Sequence, residues 1–99
     1  TTLFRSAHRM SHTQQDQAKL LARVRRLTGQ MQALERALQA SAPCGDVLQQ
    51  LASIRGALNG LTAEVMDGHL REHVLDADSD AARAQAVEEL SAILRTYVR

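Results

Sequence analysis

The chain has no tryptophan and only one phenylalanine, one tyrosine, one proline and one cysteine in 99 residues. Each scarcity removes a class of answers. With almost no flat aromatic side chains there is no platform on which unstacked bases can pile, so a single-strand nucleic-acid binder built on stacking is excluded. A lone Cys44 has no partner for an intramolecular disulfide. Together with the lack of a signal-peptide pattern, this leads to the expectation of a cytoplasmic protein whose thiol stays reduced and free for chemistry. No apolar run approaches the length of a membrane span, so a membrane is not among the expected partners. No serine or aspartate stands in a recognisable catalytic arrangement with a histidine, so an enzyme is not expected either.

What is present is helix-forming. Hydrophobic residues make up 44% of the chain, nearly all of them Leu, Ile, Val, Ala and Met, the composition of a helical bundle. One domain of this length buries only a modest core, so association with further copies is expected. The opening "TTLFRSAHR" has no helical period and precedes Met10. Residues 1–9 are therefore read as a natural extension or a remnant of expression, His8 is given no role, and residues 10–99 are taken as the single domain. If translation starts at Met10, Ser11 is small enough to become the first residue of the mature chain.

The near-neutral total hides an asymmetry. Residues 1–43 carry seven Lys or Arg against two acidic residues, and residues 44–99 carry five against nine. A basic half joined to an acidic half suggests one surface facing a polyanion such as nucleic acid.

Apolar residues at Leu20, Val24, Leu27, Met31, Leu34 and Leu38 alternate spacings of four and three, the seam of an amphipathic helix. Thr13 or Asp16 is expected to cap its start, and Ser41-Ala42-Pro43 to end it. Gly29 within it suggests close approach by a neighbour. A second seam, Val47, Leu51, Ile54, Leu58, Leu61 and Val65, leads to His69 and predicts a helix from about Cys44 to about Val74, with Gly56, Ala57 and Gly60 keeping one flank small. The polar "DADSD" breaks the pattern, and Ser79 or Asp80 is placed to cap a third, shorter helix carrying Val87, Leu90, Leu94 and Val98. The fold class read from this pattern is all-α, with three helices and no strands.

His69 and His73 lie four residues apart, one turn of the second helix, so both imidazoles can reach a single ion. Two ligands alone make a weak site. Cys44 is the natural third, but its 25 residues of separation from His69 on the same helix amount to about 37 Å. A symmetric dimer with second helices antiparallel resolves this, because the start of one then meets the end of the other. His12 joins the set if the first two helices form a tight antiparallel pair. The expected ligands are His12, His69 and His73 of one subunit with Cys44 of a second. Singly, each has an ordinary role: an exposed histidine pair is commonly solvated, and a lone cysteine is commonly a small buried hydrophobe. Their convergence under one packing arrangement points to a metal.

On the first helix Lys19, Arg23 and Arg26 share a face and Arg25 flanks it. No helix-turn-helix is recognisable, so DNA contact through this face would rely on phosphates and duplex shape, with steep salt dependence.

The segments "RVRRLTGQMQALERAL", "CGDVLQQLASIRGALNGL" and "EVMDGHLREHV" resemble the CsoR/RcnR family of bacterial metal- and formaldehyde-sensing transcriptional repressors, and the likeness runs from Met10 to Arg99. It implies a three-helix protomer forming an antiparallel dimer and then a tetramer, a dimer of dimers, that holds operator double-stranded DNA until its effector binds. Cys44, His69 and His73 match the family's ligand positions. A histidine at position 73, where copper sensors have cysteine, argues against Cu(I). The nickel/cobalt branch looks closest, since it has histidine there and another near the start, matching His12. In that branch the terminal amine also ligates, which makes the Ser11 nitrogen a candidate. Pro43 departs from the branch, which can have a carboxylate there. Whether Glu72 or the amine completes the sphere is open. The resemblance thus implies release of DNA by Ni(II) or Co(II) and derepression of a metal exporter. Alternatives are a formaldehyde-responsive repressor, although the N-terminal proline of those sensors is missing after Met10, a Zn(II) or Cu(I) sensor, and, in a different class, a metal-carrier bundle with no DNA function. Arg23 and Arg26 match the family's DNA-contacting positions, with Lys19 and Arg25 added by proximity.

Overall fold

The computed structural model describes the backbone of residues 2–98 and the side chains of residues 16–98. Helix α1 spans Thr2–Gln39, α2 spans Cys44–His69, a π turn follows at Leu70–Leu75, and α3 spans Asp80–Tyr97. No strand occurs among the described residues, and the all-α, three-helix expectation holds. No helix among them is long and apolar enough to cross a membrane. The chain divides into two compact units, Thr1–Thr62 and Ala63–Arg99.

In the first unit, α1 begins well ahead of the expected cap at Thr13 or Asp16. The reason is the absence of anything to stop it: residues 2–28 contain neither glycine nor proline, and Leu, Arg, Ala, Met and Gln are good helix formers. A helix once nucleated propagates through such a stretch without an apolar face of its own.

The end of α1 is sharply defined. Ser41 takes a left-handed backbone (φ 56°). Its amide donates to the Leu38 carbonyl at 3.1 Å, and the Ala42 amide donates to the Ala37 carbonyl at 2.9 Å. This is the paired closure of a Schellman motif, which normally has glycine at the left-handed position. Pro43 then faces forward, its carbonyl accepting from the Asp46 and Val47 amides at 3.0 and 3.2 Å to open α2. Because a side chain in the left-handed region costs roughly 1–2 kcal/mol, part of which glycine's greater freedom in the unfolded chain offsets, Ser41→Gly is expected to stabilise the protein by up to about 1 kcal/mol. Thermal unfolding checks this, and a lowered midpoint would contradict it.

Two contacts set the pairing of α1 with the early part of α2. Gln30 Nε2 donates to Ser53 Oγ at 3.1 Å. Seven residues back along α1 and seven forward along α2, Arg23 Nη1 stands 3.0 Å from where a Cβ on Gly60 would sit. The two helices therefore run antiparallel, with Leu34 buried. Of the glycines expected to allow close approach, Gly60 has such a neighbour, whereas Gly29 and Gly56 have nothing within 4 Å of a Cβ built on them. The register decides which glycine is used.

In the second unit, α2 stops at His69 instead of continuing to about Val74, and the chain goes on as the π turn. The Asp76 amide bonds the Arg71 carbonyl five residues back, at 3.0 Å. Gly68 weakens the α-helix at this point. Arg83 supplies a replacement donor, its Nε reaching the Val74 carbonyl at 2.9 Å. Arg83 is itself held by Asp80 at 2.7 Å. Ser79 caps α3 as expected, accepting from the Ala82 amide at 3.1 Å. Ala86 of α3 is buried in this unit.

Candidate metal centre and basic helix face

The break between α2 and the π turn falls between the two histidines. His69 is the last residue of α2 and His73 lies in the π turn. Their rings still face one another, with centroids 5.1 Å apart and planes inclined at 51°. π turns are rare and recur at functional sites.

His69 Nε2 lies 3.1 Å from the carbonyl oxygen of Ala86. A carbonyl only accepts, so His69 must donate from Nε2, and in the neutral ring the lone pair is left on Nδ1. A ring held this way by a backbone carbonyl is the arrangement that fixes tautomer and orientation in metal-ligating histidines. The half-buried ring therefore has one nitrogen committed to the fold and the other available. His73 is freer: its side chain is 49% exposed, and its Nε2 stands 3.7 Å from Glu72 Oε2, an ion pair whenever the imidazole is protonated.

Cys44, the first residue of α2, is an exposed free thiol. Positions 11 and 12 lie in α1, but the side chains of Ser11 and His12 are outside the described residues. Among the described residues no three His, Cys, Asp or Glu side chains gather to hold an ion. One chain thus brings together His69 and His73 and leaves Cys44 at the other end of its helix. The donor set fits a borderline metal: two imidazoles and a thiolate suit Zn, Ni or Co better than Mg or Ca.

On α1, Lys19, Arg25 and Arg26 are exposed and Arg23 is half-buried, its guanidinium against α2 at Gly60. The four cations are consequently not equivalent. Three features of the site are not marked in the sequence. The Ala86 carbonyl is backbone and has no sequence signature. Arg83 stands there only as one more basic residue. Gly60 is one of several glycines, and only the register singles it out.

A family model described as metal-sensitive transcriptional repressor matches residues 16–96. A protein of Serratia marcescens described as an uncharacterized protein in the bioA 5′ region is 55% identical over 91 residues, which cover 91% of this chain and 100% of that one. The transcriptional repressor RcnR of Salmonella paratyphi B is 42% identical over 90 residues, covering 91% and 100%. Among solved structures, a variant of the formaldehyde-responsive regulator FrmR from Salmonella enterica serovar Typhimurium matches with a TM-score of 0.79 at 43% identity, covering 84% of this chain and 94% of that one.

Proposed function

Because the chain belongs to the family of metal-sensitive transcriptional repressors, we propose that it holds operator DNA when metal-free and releases it on binding Ni(II) or Co(II), derepressing a metal exporter. The family is one of transcriptional repressors and not of enzymes. The observation that carries the metal reading is the facing pair His69 and His73, with the His69 ring held through Nε2 by the Ala86 carbonyl. In this reading His69, His73 and His12 of one copy and Cys44 of another hold the ion, with the Ser11 amine as a further donor when it is the chain terminus. The bound ion supplies a positive charge that draws donors from separate segments to one point. The chain's part is preorganisation: the carbonyl aims His69, and the π turn keeps His73 beside it.

A dimer and a tetramer are part of the same proposal. Met31, Leu38, Leu58 and Val65 are each half or more exposed, while Leu34 and Ala86 are buried. Leaving that much aliphatic surface in water favours association of copies along the seams of α1 and α2. Lys19, Arg23, Arg25 and Arg26 are proposed to meet phosphates of the duplex.

The test is fluorescence anisotropy of a labelled duplex from the protein's own promoter region, at fixed salt, with and without nickel. Metal-free protein is expected to bind and nickel to release it. Arg23→Ala combined with Arg26→Ala is expected to lose most DNA affinity and keep nickel affinity. A metal-carrier bundle would show no DNA affinity in either state. The likeness to a formaldehyde-responsive regulator and the exposed Cys44 thiol favour one second reading, in which formaldehyde is the effector. Release by formaldehyde and not by nickel, cobalt or zinc would select it.

A further inference from the structure

We infer that Gly60 is a positioning residue for the DNA-contacting Arg23: the bare backbone at Gly60 seats the Arg23 guanidinium and thereby sets where that cation stands on α1. The inference rests on the reading of Arg23 as a phosphate contact. Gly60 lies inside α2, where glycine is a poorer helix former than alanine, and no glycine among the described residues has a positive φ that would require it. Conformation does not explain the residue, whereas space does. A Cβ at Gly60 would stand 3.0 Å from Arg23 Nη1, tighter than ordinary van der Waals contact. Gly29, Gly45, Gly56 and Gly68 have nothing within 4 Å, so among the glycines only Gly60 has its missing side chain occupied by a neighbour. The neighbour is the one of the four candidate DNA-contacting cations that is half-buried; Lys19, Arg25 and Arg26 extend into solvent.

A long cation loses rotamer freedom when it docks on a phosphate, and one already held against a helix loses less. Arginine gains most from this, because its planar fork must be oriented as well as brought near. Gly60 therefore contributes to DNA binding without touching DNA. Since the displaced atom would be the far end of a flexible side chain, Gly60→Ala should fold, with its helix strengthened.

Two readouts are thus expected to move in opposite directions. Gly60→Ala should raise the thermal midpoint and, in the metal-free protein, weaken operator binding about tenfold, with the slope of log K against log salt shallower by about one per lost phosphate contact. Nickel affinity measured without DNA serves as the control and should be unchanged. A double-mutant cycle isolates the pair: in an Arg23→Ala background, Gly60→Ala should change operator affinity by less than about twofold. Operator affinity of Gly60→Ala equal to the parent's, or an equal loss whether or not Arg23 is present, would overturn the positioning role. Parent-like operator binding by Arg23→Ala alone is a different result, which would remove the DNA reading of Arg23 and this inference with it.

Discussion

Replacing Cys44 by alanine is expected to lower nickel affinity by on the order of a hundredfold or more, the largest effect of any single ligand substitution. Thiolate is the softest donor in the proposed set and the one that brings a full negative charge to the ion. Its exposure at the first residue of α2 leaves it accessible to a second copy. Of the imidazoles that remain in the proposed set, His69 and His73 stand together as a pair and His12 joins them from α1, so the sphere keeps only neutral donors and lacks its thiolate. Optical titration reads the change directly, because thiolate-to-metal charge transfer gives an absorption band that vanishes with the sulfur. His73→Ala is the companion variant, expected to keep the band, since sulfur still ligates, while weakening affinity and changing coordination number. Tight stoichiometric binding by Cys44→Ala would remove sulfur from the site. Loss of the band in His73→Ala as well would mean that the histidine is needed before the thiolate can ligate at all.

The separation of Cys44 from the histidines is legible in the sequence alone, since 25 helical residues admit no other outcome, and so are three helices with their seams. Periodicity encodes which face is apolar, and caps such as Ser79 carry a local chemical signature. Other elements have neither. The α1 start lies at Thr2 because propagation needs only the absence of breakers, which leaves no positive mark in the sequence. The π turn at Leu70–Leu75 depends on an exchange of partners, with Arg83 of α3 taking the Val74 carbonyl, and the donor lies nine residues from the acceptor. Gly29, Gly56 and Gly60 look alike as letters in a chain. Only the pairing that sets Gln30 against Ser53 distinguishes the glycine opposite Arg23 from those opposite nothing.

His12→Ala is expected to leave the Cys44, His69 and His73 core able to take metal while abolishing most of the metal's effect on DNA. The proposed coupling must weaken operator binding about a hundredfold, which is about 3 kcal/mol shared between the two sites. A helix offers a physical route for it. Positions 12, 23 and 26 all belong to α1, which runs unbroken from Thr2 to Gln39. Position 23 lies eleven residues beyond position 12, about three turns and about 16 Å along one rod. A ligand near the start of that rod, drawn toward an ion, moves the basic face with it, whereas a flexible leader would absorb the pull. Linkage also requires reciprocity, so operator DNA must weaken nickel binding by the same factor in the parent and by little in His12→Ala. The measurement is operator anisotropy against nickel concentration at fixed salt, with nickel affinity determined separately with and without duplex. If His12→Ala releases DNA as fully as the parent, α1 is not the route, and the signal must pass from His69 and His73 along α2 alone.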